Sequence, residues 1–284
     1  TYATGGHPGT VAVGDVNSDG FPDIVAGVCA STTCGGTSAA PGRIAVLAGK
    51  GDGTFSAAST VKSGVFPLSL VVADFSGDGN LDVAFGDAAL NAVTVLAGNG
   101  SGAFPTSTSF PAGSEPDYLG FGDFNNDGIL DLAVLNTGGG TVSILYGQGS
   151  GLLGPPVAYA AANGPTKFAI ADFNGDSRFD IALQDMNTGN LEFLFNAGGT
   201  AFLAPRAYIA NPGPAIAAAG DFNGDGHADF VLGSRQSESL LLFLGAGGGA
   251  FYASLNVDLP SGATPTAIAA ADFDKDGKQD LLIG

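Results

Sequence analysis

Six times in this 284-residue chain an Asp is followed, two and four residues later, by further oxygen-bearing side chains. Eight residues later another Asp closes the run. The segments are "DVNSDGFPD" from Asp15, "DFSGDGNLD" from Asp74, "DFNNDGILD" from Asp123, "DFNGDSRFD" from Asp172, "DFNGDGHAD" from Asp221 and "DFDKDGKQD" from Asp272. Three or four carboxylates in nine residues repel one another unless a cation neutralises them. Hard oxygen donors at alternating positions suit calcium. Magnesium demands a tighter octahedron and keeps its waters. Zinc prefers Cys and His, of which the chain has two each.

Each loop can offer side chains at positions 1, 3, 5 and 9 and the backbone carbonyl of position 7. The first loop offers Asp15, Asn17, Asp19, Phe21 and Asp23; the second, Asp74, Ser76, Asp78, Asn80 and Asp82. The third offers Asp123, Asn125, Asp127, Ile129 and Asp131; the fourth, Asp172, Asn174, Asp176, Arg178 and Asp180. The fifth offers Asp221, Asn223, Asp225, His227 and Asp229; the sixth, Asp272, Asp274, Asp276, Lys278 and Asp280. The sixth loop has a fourth carboxylate and should bind well. The second and fourth should be weakest. Ser76 is a short neutral ligand, and Ser177 stands where the turn wants glycine, with Arg178 beside it. His227 should contribute its carbonyl, with its imidazole facing solvent.

An EF-hand opens the same way but needs a Glu at position 12 and flanking helices. Position 12 here is Ala26, Phe85, Val134, Leu183, Leu232 or Ile283. All are apolar and read as strand residues, so these are shorter loops between two strands. The six loops hold three Asp each plus Asp274, most of the 27 acidic residues in a chain of formal charge −18. The acidity is mainly a ligand inventory, and up to six Ca²⁺ would neutralise much of it. Such charge argues against nucleic acid or an anionic membrane as partner. No apolar run is long enough to span a bilayer.

The loops recur at spacings of 59, 49, 49, 49 and 51 residues, and a proline sits seven residues ahead of each (Pro8, Pro67, Pro116, Pro165, Pro214, Pro265). A turn follows five of them: "GKGDGTF", "GNGSGAF", "GQGSGLL", "NAGGTAF" and "GAGGGAF". A fixed period of this size marks a repeat architecture. Each unit reads as four short strands punctuated by Gly, Pro, Asn and Asp. The first is rich in small residues. The second follows the loop, the third is apolar, and the fourth starts at the Phe or Leu after the turn. The residue after the first Asp (Val16, Phe75, Phe124, Phe173, Phe222, Phe273) should pack between sheets. The expected fold is an all-β propeller over residues 1–284, with about six four-stranded blades visible and the last incomplete. A parallel β-solenoid is the rival.

The motifs "ADFNGDS", "GDFNGDG" and "ADFDKDG", followed by "DIAL", "DFVL" and "DLLI", resemble the FG-GAP/VCBS repeats of integrin α-subunit propellers and many bacterial surface proteins. The resemblance covers nearly the whole chain. It implies a calcium-loaded propeller outside the cytoplasm, usually of seven blades. Six motifs leave the blade number open, and there is no Arg-Gly-Asp sequence. The N-terminal "TYATGGHP" aligns with the end of a fourth strand, and the last unit stops after its second strand. The expectation is a fragment of a longer protein or, as the alternative, strands supplied by another subunit or by copies of the chain.

Cys29 and Cys34 lie in a ten-residue insertion of the first unit, where a local disulfide and an oxidising compartment are expected. That insertion is also a candidate binding loop. No catalytic constellation is visible. His7 and His227 are the only histidines, and no Gly-x-Ser-x-Gly nucleophile motif occurs. The leading functional expectation is a secreted or surface-displayed, calcium-stabilised module for adhesion, interaction or assembly, with a protein or glycan ligand. A lectin of the same fold is the alternative, and an accessory domain beside a secreted lyase or hydrolase is a third reading.

Overall fold

The computed structural model describes residues 1–30, 41–161, 164–165, 167–185, 190–208, 214–234, 238–252, 254–263 and 268–284. Cys34, most of the insertion loop and Pro265 lie outside the described residues. Among the described residues every regular element is a strand, and no helix is long and apolar enough to cross a membrane.

The strands fall into antiparallel sheets that follow chain order. The first holds β1 (His7–Gly14), β2 (Asp23–Cys29), β3 (Gly42–Leu47) and β4 (Ser59–Val65). The second holds β5 (Pro67–Ala73), β6 (Asp82–Asp87), β7 (Ala92–Ala97) and β8 (Thr106–Pro111). The third holds β9 (Pro116–Gly122), β10 (Asp131–Asn136), β11 (Thr141–Leu145) and β12 (Val157–Ala160). In the fourth, β13 (Phe168–Ala171), β14 (Asp180–Gln184) and β15 (Leu191–Leu194) are followed by a short hairpin, β16 (Asn196–Gly198) and β17 (Ala201–Phe202). Its outer strand is β18 (Arg206–Tyr208). The fifth repeats this plan with β19 (Pro214–Gly220), β20 (Asp229–Ser234), β21 (Ser239–Phe243), hairpin β22 (Gly245–Gly247) and β23 (Ala250–Phe251), and β24 (Leu255–Asp258). In the sixth, β25 (Ile268–Ala271) pairs with β26 (Asp280–Ile283).

Each four-stranded meander is a propeller blade, and the antiparallel pairing throughout removes the parallel solenoid. The third strand is buried because it lies inside the sheet with both faces covered; all but one residue of β7 and of β11 are buried. The fourth strands are exposed edges, as in β8.

The chain forms two compact units, residues 1–123 with 127–158 and residues 124–126 with 159–284. In the first, β5 lies against β1 and β9. Val16 packs with Val25, Ile44, Val83 and Leu96, and Phe75 packs with Ala84, Leu119, Leu132 and Leu145. In the second, Phe173 meets Phe193 at 5.1 Å and Phe230 at 5.9 Å between ring centroids. These residues fill the gap between neighbouring sheets, as the sequence suggested. Phe273 differs: it is 53% exposed, because no described sheet covers that side of β25 and β26.

Two further expectations need correction. The fourth strand begins two to four residues beyond the Phe or Leu of the turn, as at Ser59 after Phe55 and Thr106 after Phe104. That residue closes a narrow bridge instead, as in Gly49–Phe55 and Gly147–Leu153, or half of a short hairpin. It turns inward to pack: Phe104 on the Val16 cluster, Phe251 on the Phe173 cluster. Residues 1–6 form no strand. Tyr2 stacks edge-on against Phe55, and its hydroxyl accepts the Phe55 N–H at 2.9 Å.

Candidate metal centre

Each acidic loop joins the first strand of its sheet to the second. The last strand residue is followed by the first Asp, whose two oxygens collect backbone N–H groups from the loop itself. Asp15 Oδ1 accepts from Asp19 at 3.1 Å and Oδ2 from Gly20 at 2.8 Å. Asp123 does the same with Asp127 and Gly128, and Asp272 with Asp276 and Gly277. The third side chain accepts from the N–H of position 5, as Asn17, Asn174, Asn223 and Asp274 do. The fifth accepts from position 7, as in Phe21, Ile129 and His227. The chain thus curls around its own oxygens.

This curl needs two left-handed residues per loop, at positions 4 and 6. Position 6 is glycine at φ between 83° and 87° in five loops and Ser177 at 65° in the fourth. Position 4 is Ser18 at 57°, Gly77 at 73°, Asn126 at 59°, Gly175 at 79°, Gly224 at 75° and Lys275 at 64°. Strain at Ser177 was legible from the missing glycine. The need at position 4 was missed, although the Gly and Asn found there are the residues that accept this conformation most readily.

The ninth Asp does something the sequence reading did not foresee. Asp23, Asp82, Asp131, Asp180 and Asp229 are fully buried. One oxygen accepts a loop N–H: Val16 to Asp23 at 3.0 Å, Phe173 to Asp180 at 3.0 Å, Phe222 to Asp229 at 2.8 Å. The other accepts the N–H that opens the glycine turn: Gly49, Gly98, Gly147, Asn196 or Gly245, at 2.7–2.8 Å. The ninth Asp is therefore a clamp between loop and turn. Each carboxylate oxygen carries two lone pairs, so the clamp leaves capacity toward a cation.

The donors fit a hard cation best in the sixth loop, where carboxylate oxygens of Asp272, Asp274 and Asp276 all lie within 4.8 Å of one another. In the first and fifth loops an amide stands at position 3, and Asn17 and Asn223 lie 2.9 Å from the Asp at position 5. The second loop departs from the rest. Ser76 Oγ donates to Asp74 at 3.2 Å, and the clamp from Asp82 takes the Ser76 N–H rather than that of Phe75. In the fourth, the Arg178 guanidinium holds Asp176 Oδ2 and also donates to the Asn196 carbonyl at 3.1 Å. Lys278 lies 3.5 Å from Asp276 in the sixth loop, but both are exposed and such pairs contribute little. His227 is half-buried with its ring against Gly247, a correction to the solvent-facing reading; a turn residue without a Cβ leaves it room.

Titration tracks the crowding. Burial, reinforced by the charges of Asp176 and Asp172, pushes the Asp180 carboxyl up to about 7. Burial also raises Asp82 and Asp229. The exposed fifth-position Asp78 and Asp225 are held below the usual range, chiefly by the backbone N–H of Asn80 and of His227. A positive ion in the loop would reverse the penalty at Asp180.

A family model described as an FG-GAP-like repeat matches residues 34–85, 74–134, 123–183 and 221–283, and an FG-GAP repeat model matches 7–47. No curated protein matches. Among solved structures, the chain is similar to an Agrocybe aegerita lectin that recognises non-reducing terminal N-acetylglucosamine (19% identity, TM-score 0.59, 87% of this chain and 65% of the lectin). It is also similar to the periplasmic gluconolactonase PpgL of Pseudomonas aeruginosa (16%, 0.64, 98% of this chain and 73% of that one). The biofilm matrix protein Bap1 of V. cholerae is a third (17%, 0.58, 94% of this chain and 42% of that one). At these identities the likeness shows the fold alone, and the chain spans less than two thirds of the lectin and of Bap1. With the models covering most of its length and the acidic loops in register inside them, the chain belongs to the FG-GAP repeat family.

Proposed function

We propose that the six loops bind calcium and that the chain is a calcium-stabilised interaction module working outside the cytoplasm. One observation carries the reading: in loop after loop the chain spends left-handed backbone to gather the oxygens of positions 1, 3 and 5, ending in three mutually close carboxylates at Asp272, Asp274 and Asp276. Calcium would supply charge neutralisation there, held by the side chains of positions 1, 3, 5 and 9 and the carbonyl of position 7. Short loops of this donor count suit the calcium levels of extracellular media. The departures at Ser76 and Arg178 support weaker binding in the second and fourth loops. A binding role rather than a catalytic one fits side chains committed to holding loops.

Thermal unfolding in calcium and in EGTA, with metal content by mass spectrometry, tests this. A calcium-dependent rise in Tm with about four to six ions per chain is expected. No bound calcium and an unchanged Tm would falsify it. Carbohydrate binding is the second reading, favoured by a cavity beside Asp87 whose lining mixes polar and apolar side chains.

A further inference from the structure

The second sheet contains a buried carboxylate that the loops do not use. Asp87 ends β6, thirteen residues after the first Asp of its loop, and is 3% exposed. Its Oδ1 accepts the Ala89 N–H at 3.0 Å, while its Oδ2 has no hydrogen-bond partner among the described residues. Asp87 lines a cavity of about 290 Å³ in the first unit, between β4 of one sheet and β8 of the next. Thr94, also 3% exposed, lines it too, with its hydroxyl 2.8 Å from that of Ser109. At the rim Lys62 donates to the Ser107 hydroxyl at 3.0 Å.

This opening is not a generic product of the repeat. The matching residue of the third sheet is Asn136, fully buried and bonded to Ser143 at 2.8 Å and Thr141 at 3.2 Å. There the backbone at Gly113 closes over it: a Cβ on Gly113 would stand 2.4 Å from the Asn136 side chain. A Cβ on the matching Gly64 would meet nothing within 4 Å.

We infer that this cavity is a binding site for one neutral sugar ring. The occupant's charge follows from its lining. A cation would meet Lys62 and an anion would meet Asp87, whereas a neutral polyol satisfies both. Sugar hydroxyls donate to Asp87 Oδ2 and accept from Lys62. The Thr94–Ser109 pair uses one of its two O–H hydrogens and keeps the other for a ligand. The volume lies at the small end for ligand sites, which favours a monosaccharide over a larger molecule. Leu90, exposed on the lining, offers an apolar surface to the C–H face of the ring. The inference rests on reading the chain as a binding module, but not on the metal loops.

The test is saturation-transfer NMR on the full chain in calcium, with glucose, galactose, mannose and N-acetylglucosamine as separate probes. At least one should bind, and Asp87→Asn should weaken it about tenfold or more by turning an acceptor into a donor while keeping Oδ1 for Ala89. Should that variant not fold, Ser107→Ala and Lys62→Ala alter only the rim and should each weaken binding severalfold. No binding by any of the four sugars, binding unchanged in all the folded variants, or saturation by methylammonium instead of sugar overturns the inference. Calcium content measured on the same samples separates the two readings: a chain that holds calcium and binds no sugar loses this site and keeps its loops.

Discussion

At the scale of single residues, the acidic loops divide labour between carboxylates of the same chemical type. The half-buried Asp at position 1 and the mostly exposed Asp at position 5 shape the loop; the buried Asp at position 9 ties the loop to a turn far along the chain. Their removal should cost different amounts even without metal. In EGTA, Asp23→Ala should lose about 2–5 kcal/mol in urea denaturation, because it orphans the Val16 and Gly49 N–H groups in a dry site. Asp19→Ala, in an exposed part of the same loop, should lose about 1 kcal/mol or less. Equal losses would mean that the clamp has no structural weight. Ser177→Gly should stabilise the metal-free chain by about 1 kcal/mol, since Ser177 is the one residue with a side chain at a left-handed position that is otherwise glycine. A loss of stability there would remove the strain argument.

At the scale of elements, local features were readable and distant ones were not. The period, the strands framing each loop and the ligand positions follow from residue type and spacing over nine residues, where backbone geometry leaves few choices. The clamp joins Asp23 to Gly49, 26 residues away, and only the register of β2 and β3 shows it. The start of the fourth strand was misplaced because Phe104 and Phe251 look locally like the start of an outer strand, yet Phe104 packs on the Val16 cluster and Phe251 sits in the short hairpin strand β23 against the Phe173 cluster. The Asp87 cavity depends on where β4 lies relative to β8, and no local pattern carries that. One joint can be tested directly. Asn196 donates through Nδ2 to the Phe124 carbonyl at 2.6 Å and the Phe179 carbonyl at 3.2 Å, while its Oδ1 accepts the Gly198 N–H. Asn196→Ala should therefore cost about 2–3 kcal/mol, read by thermal or urea unfolding. A change under about 0.5 kcal/mol would show that water replaces these bonds freely.

For the whole molecule, protons and calcium should compete. Without metal, the folded-state Asp180 holds its proton up to about pH 7, well above its ordinary 3.8. The stability that this proton confers is full below the ordinary value and is lost as pH rises through about 7; Asp82 and Asp229 shift in the same direction. In EGTA the chain should therefore melt higher at about pH 6 than at about pH 8. Saturating calcium should shrink or reverse that difference, because the ion favours the charged form. An EGTA sample that is more stable at the higher pH would contradict the crowding seen around Asp180.

Within each unit, a turn reaches back to the loop of the sheet before it. Gly102 donates to the Val16 carbonyl at 3.0 Å, Ser150 to Ser76 at 3.0 Å and Gly248 to Asn174 at 2.8 Å. The turns of the second, third and fifth repeats thus each grip the loop of the sheet before, so a repeat can carry both halves of a joint, a loop that receives its successor and a turn that grips its predecessor. A tandem duplication of one 49-residue segment inserts a complete new joint and leaves the old ones intact. Unequal crossing-over between copies can then lengthen or shorten such an array one blade at a time, with no compensating change elsewhere in the gene.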